Sequence, residues 1–151
     1  MEDITRKRLE NAGWQPDRII HIDNIEKKYV DIGLKMPDNV KNFLRSFGML
    51  EIKFTKKMQN ATIDERIIFD PIAAIGYNLD KNYFSELLQE YNISDEVYPI
   101  GLASRGNLLI LMSTDNVFYR FTDGLLSKDG KNIEEMLDCV IGECYMPEII
   151  E

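Results

Sequence analysis

The chain has 151 residues, of which 44% are hydrophobic and 29% charged; this suits one globular domain with a substantial core and argues against disorder. Lys plus Arg number 18 and Asp plus Glu 26, for a formal net charge of −8, so the surface repels nucleic-acid phosphates and attracts basic partners. No apolar run reaches the roughly 20 residues that span a bilayer. The opening Met1-Glu2-Asp3-Ile4-Thr5-Arg6-Lys7-Arg8 lacks the apolar stretch of a secretory signal. The expectation is a cytoplasmic protein with no membrane partner and no direct nucleic-acid partner.

In chain order, a first helix is expected from about Asp3 to Ala12, with Ile4 and Leu9 as apolar positions and Gly13 as its stop. Trp14 should fold back onto the core. A second helix is expected to be capped by Asn24, with Ile25, Tyr29 and Ile32 on one face. The third helix is the clearest. Pro37 suits a first turn, Val40, Phe43, Leu44 and Phe47 form a stripe, and Gly48 closes it. The period then changes. Leu50, Ile52 and Phe54 alternate with polar residues as a half-buried strand. Arg66 to Phe69 reads as its neighbour, with Gln59 to Thr62 as the loop between them.

A short helix over Ile72 to Ile75 and a longer one over Lys81 to Tyr91, capped by Asp80, come next. Three strands follow: Val97 to Ala103, Leu108 to Met112 and Val117 to Phe121. Turn-prone Gly106-Asn107 and Asp115-Asn116 separate them, which makes an antiparallel meander. Asn132 can cap a last helix, with Glu135 at capping-box spacing and Met136, Leu137, Val140 and Ile141 facing inward. There is no repeat, low-complexity tract or linker. The whole reads as a single domain, residues 1–151, of α+β class with a mostly antiparallel sheet and helices packed on one side.

Catalytic constellations are missing. His21 is the single histidine, so no His-rich metal site can form, and no partner for a general base is evident. Cys139 and Cys144 lack a CxxC spacing. On one helix they would point about 500° apart at 100° per residue, which disfavours a disulfide. Cys139 reads as a small core residue and Cys144 as a partly buried one. No phosphate-binding glycine loop is present, and Ser104-Arg105-Gly106 reads as an ordinary turn. Asp115-Asn116 and Asp129-Gly130 do not make a calcium loop. The expectation is no catalytic residue, no metal and no cofactor.

Leu9-Glu10-Asn11-Ala12-Gly13-Trp14, followed by Arg18, resembles the opening of the third SUKH subfamily, a group of bacterial toxin-immunity proteins. The resemblance continues through Pro37, Val40, Phe43-Leu44, Phe47-Gly48, Phe69-Asp70-Pro71 and Tyr98-Pro99-Ile100-Gly101. Leu108 to Met112, Val117-Phe118-Tyr119 and Asn132-Ile133-Glu134-Glu135-Met136-Leu137 resemble the closing hairpin and helix. It spans nearly the whole chain in order. It implies a SUKH-like fold and an immunity role: binding and neutralising a cognate protein toxin, a nuclease or deaminase. Such a toxin is usually basic around its site.

The carboxylates beside predicted loops, Asp64, Glu65, Asp95, Glu96, Asp115 and Asp123, are therefore the expected toxin-binding residues, with Tyr119 as an aromatic anchor. The competing readings are a non-toxin adaptor on the same fold and a small hydrolase using two converging carboxylates.

Overall fold

The computed structural model describes residues 1–151. Six helices, α1 (Asp3–Asn11), α2 (Asp23–Asp31), α3 (Asp38–Phe47), α4 (Pro71–Ile75), α5 (Lys81–Glu86) and α6 (Ile133–Val140), accompany seven strands. The strands are β1 (Glu51–Met58), β2 (Ala61–Ile68), β3 (Val97–Ala103), β4 (Leu108–Ser113), β5 (Phe118–Thr122), β6 (Leu125–Gly130) and β7 (Glu148–Ile150). They form one antiparallel sheet in sequential order, β1 to β7. The expected α+β class with an antiparallel sheet is what the chain adopts.

The helix ends follow side-chain chemistry. Asp70 accepts from the amides of Ile72 at 3.0 Å and Ala73 at 3.2 Å, with Pro71 at the first position of α4. Asp80 accepts from the Tyr83 amide at 3.1 Å, and Asn132 from the Glu135 amide at 2.8 Å. Glu135 reciprocates one residue further out, accepting from the Lys131 amide at 2.8 Å, so the capping box closes in a shifted form. Asn24 does not cap α2; the helix begins at Asp23, after Ile22. Pro37 precedes α3 instead of entering it. α5 stops at Glu86, and a single 3-10 turn, Gln89–Tyr91, completes the stretch expected as one helix.

Successive strand residues face opposite sides of the sheet. On one face, Phe43 of α3 meets Phe118 with ring centroids 5.7 Å apart and Phe69 at 5.2 Å. Trp14 stacks on Phe47 at 5.6 Å, and the guanidinium of Arg8 in α1 lies 3.9 Å over the Phe54 ring. Ile52, Ile67, Ile110 and Met112 are fully buried, in a core cluster of 35 residues. Ile4 is 45% exposed and stands outside the core cluster. On the second face, Tyr91 makes an edge contact with Phe121 at 6.4 Å. The chain after α4 thus packs against this face, where Leu79 and Tyr83 line a cleft with Leu109 and Phe121.

Gly101 explains the Tyr98-Pro99-Ile100-Gly101 motif. The β3–β4 register shifts between Pro99 and Gly101, and a Cβ at Gly101 would strike the Ile68 carbonyl oxygen and come within 2.9 Å of the Phe69 Cα. Only glycine lets β2 and β3 approach there.

Two strands escape the sequence reading. β6 ends in Asp129-Gly130, which looks like a turn but pairs with β5, Gly130 opposite Phe118. β7 adds Glu148 opposite Lys128. α6 ends at Val140, so Cys144 lies beyond the helix and is exposed, not partly buried, while Cys139 is buried as expected. His21 is exposed in an irregular segment just before α2.

Candidate functional site

The residues singled out from sequence fall into four separate places. Asp95 and Glu96 lie just before β3, and Val97 pairs with Ser113. Asp115 lies just beyond Ser113, in the β4–β5 turn, so these three carboxylates share one end of the sheet. Asp123 is in the β5–β6 turn at the opposite end. Asp64 is exposed on β2, opposite Thr55 of β1, on the second face.

Glu65 and Tyr119 are not loop residues. Glu65 is 4% exposed inside β2. Its carboxylate takes Lys56 Nζ at 3.2 Å and the Arg66 amide at 2.8 Å. Lys56 also reaches Glu143 at 3.2 Å, and Glu143 meets Arg8 at 3.6 Å. This alternating chain of charges joins β1, β2, α1 and the segment after α6. Tyr119 is 3% exposed, so its ring is packed under the chain and does not project as an anchor. Its hydroxyl donates to Asp95 at 3.0 Å. Burial, then the bond to Asp95, pushes that phenol well above its usual range.

The end of the sheet that carries Asp95, Glu96 and Asp115 gathers further acids. Asn39 in the first turn of α3 donates to the carbonyls of Ser113 at 3.0 Å and Thr114 at 3.2 Å and to the Asn116 side chain at 3.0 Å. This pins α3, with exposed Asp38 at its start, against the β4–β5 turn. Asn116 lines a shallow cleft with Asn132, Ile133 and Glu134, which brings in the N-terminus of α6. Glu134 is exposed, with the Met1 ammonium 3.5 Å away. The rim is therefore Asp38, Asp95, Glu96, Asp115 and Glu134, bordered by Lys35 and Lys81, which share a cleft of about 240 Å³ with Glu96 and Tyr98. Sequence reasoning passed over Asp38 and Glu134. Their signal was present: acidic residues in the first turn of a helix, where the helix dipole favours them.

Among the carboxyl groups, burial pushes Asp129 upward, against the pull of the Arg120 charge and the bonds from Arg120 and Ser127. It sits under α6, with Arg120 Nε at 2.8 Å and a second guanidinium nitrogen at 3.1 Å. That fork is a packed ion pair between β5 and β6, with the Asp129 side chain fully buried.

No group of three or more His, Cys, Asp or Glu side chains is arranged to hold a metal ion. No helix is long and apolar enough to cross a membrane.

A family model described as SUKH-3 immunity protein matches residues 1–143. Searches of curated proteins and of solved structures gave no match. The match covers all six helices and the first six strands, stopping before β7. The chain belongs to the SUKH-3 immunity protein family.

Proposed function

We propose that this protein acts in the cytoplasm as the immunity partner of a cognate toxin domain, a nuclease or deaminase of a polymorphic toxin system, and neutralises it by binding and not by catalysis. The observation that carries the reading is the family match over residues 1–143. The net charge of −8 supports a basic partner. A toxin that attacks nucleic acid has to hold phosphates, and an acidic inhibitor speeds capture by long-range attraction.

The contact surface we propose is the acidic rim, with Asp95, Glu96 and Asp115 at its centre and Asp38 and Glu134 beside them. Supporting this, Glu96, Asp115, Asp38 and Glu134 are exposed, and they project from strand ends and helix starts held by the Asn39 bonds. A pre-organised surface loses little entropy on binding. In this arrangement Tyr119 braces Asp95 from beneath, Glu65 serves the internal charge chain, and Asp64 and Asp123 lie outside the rim.

Co-purification of the tagged protein from its native cells, with mass spectrometry of what it retains, tests the reading. A basic toxin domain encoded beside the gene supports it. Stable recovery of an unrelated partner, with no toxin, would assign the protein to an adaptor role instead.

A further inference from the structure

The second face of the sheet changes character between β2 and β3. Over β4 and β5 it is covered by the segment that carries Tyr91. Over the β1–β2 hairpin it is bare, and Lys53, Thr55, Asp64 and Arg66 reach the surface. The sheet is narrowly joined at that point. β2 and β3 share a single register pair, Ile68 with Leu102, and the chain then leaves β3 through Ser104–Gly106.

That turn is not the ordinary one its sequence suggests. Ser104, Arg105 and Gly106 have φ of 50°, 56° and 96°. Three successive residues in the left-handed region, two of them not glycine, are held only where surrounding structure enforces them. The turn lays Arg105 beside β2, and a cleft of about 530 Å³ opens between them, its lining including Lys53, Thr55, Asp64, Glu65, Arg66 and Arg105.

The lining carries three cations, Lys53, Arg66 and Arg105, against the carboxylates of Asp64 and the buried Glu65, on a chain of net charge −8. Lys53 Nζ and Arg66 Nε lie 3.0 and 3.2 Å from one shared carboxylate, Glu51. Two cations on one acid leave donors over, since a guanidinium carries five N–H groups and an ammonium three. Arg105 is exposed and has no ion-pair partner within 4.0 Å. The acidic rim lies at the far end of β4, beyond Ser113, whereas Arg105 precedes Leu108. The cleft thus lies at the end of β4 opposite the acidic rim, with Arg105 as its exposed cation free of an ion-pair partner.

We propose that the cleft between the β1–β2 hairpin and the Ser104–Gly106 turn receives an acidic segment of a partner protein, whose carboxylates pair with Arg105 and with the spare donors of Arg66 and Lys53. The chemistry favours a peptide over a polyphosphate strand. Asp64 on the cleft wall and the net charge of −8 oppose a ligand that is anionic at every repeat. A peptide carries backbone N–H groups that Asp64 can accept, besides its carboxylates. The inference rests on the protein-binding role proposed above and deepens it. An acidic rim and a basic cleft on one partner fix the orientation of the other, because the reversed arrangement sets like charges together.

The test is an NMR titration of the ¹⁵N-labelled full chain with a short capped Glu/Asp peptide, run beside inorganic phosphate and a short single-stranded DNA. The peptide should give saturable amide shifts at Lys53–Thr55, Asp64–Arg66 and Ser104–Gly106. The double variant Lys53→Gln, Arg105→Gln should weaken that binding about tenfold, the loss expected of two solvent-exposed ion pairs, with an unchanged thermal midpoint. No shifts there, or shifts that persist in the variant, overturn the proposal. Equal or stronger saturation by phosphate or DNA also overturns it, in favour of a general anion site. The outcome is separable from toxin binding: co-purification can succeed while the cleft stays silent, and the cleft can bind peptide while no toxin is recovered.

Discussion

The Tyr119 hydroxyl donates to Asp95 at 3.0 Å, tying the middle of β5 to the segment that leads into β3. The aromatic ring that looked like an interface anchor is instead the brace beneath an acidic surface. Tyr119→Phe removes that bond, keeps the ring and leaves Asp95 partly exposed to water. The expected cost is about 1 kcal/mol in urea unfolding. A loss near 4 kcal/mol, on the order of a large-to-small core change, would mean that the ring itself shifts.

Arg120 and Asp129 set a larger stake. Asp129's side chain is wholly buried and Arg120's nearly so, and two bonds join them. Removing one partner leaves a buried charge unpaired, so Arg120→Met should destabilise by about 3–5 kcal/mol. Replacing both, as Arg120→Met with Asp129→Leu, should recover most of that loss. Additive losses in the double variant would show that the pair does not act as a unit.

Much of this architecture is visible in sequence because its signals are local. The stripe Val40, Phe43, Leu44, Phe47 announces α3, and the alternation from Leu50 to Phe54 announces β1. What is hidden depends on distant packing. β6 reads Leu-Leu-Ser-Lys-Asp-Gly and has no alternation, because the Asp129 side chain turns inward to a guanidinium on the neighbouring strand. α6 ends early where Gly142 passes so close to Thr5 that a Cβ would collide with its hydroxyl. The candidate site divides in the same way. Acidic turns are visible one at a time, but which of them share an end of the sheet follows from strand register, which brought Asp95, Glu96 and Asp115 together and sent Asp123 to the other end.

The two cysteines should differ in chemistry. Burial, then the Asp129 charge, pushes the Cys139 thiol up to about 11, whereas Cys144 is exposed. At pH 8 in native buffer, iodoacetamide should modify Cys144 and spare Cys139, since the thiolate is the nucleophile. Peptide mass mapping reads the result directly; equal labelling of both would contradict the burial of Cys139.

Glu51 gives a pH signature. Hydrogen bonds from Arg66 and Lys53 lower its carboxyl from 4.5 to about 2. A carboxyl lowered in the folded state contributes stability above its ordinary value and loses it as the pH falls, so this contribution fades between about 4.5 and about 2. A ¹³C titration of the side-chain carboxyl should find its midpoint well below that of an ordinary glutamate. Arg66→Gln should move the midpoint upward, and no movement would assign the shift to another cause.

Capture of a toxin by the acidic rim, as proposed above, would depend on Asp95, Glu96 and Asp115. The most direct measurement is calorimetric affinity of the recovered toxin domain for the native protein and for the triple variant Asp95→Lys, Glu96→Lys, Asp115→Lys, each checked for an unchanged far-ultraviolet spectrum. Losing three contacts at about 1–3 kcal/mol each should weaken binding by at least about 100-fold, with a slower on-rate at low salt. Unchanged affinity in a folded triple variant would rule out the rim and move the contact elsewhere on the molecule.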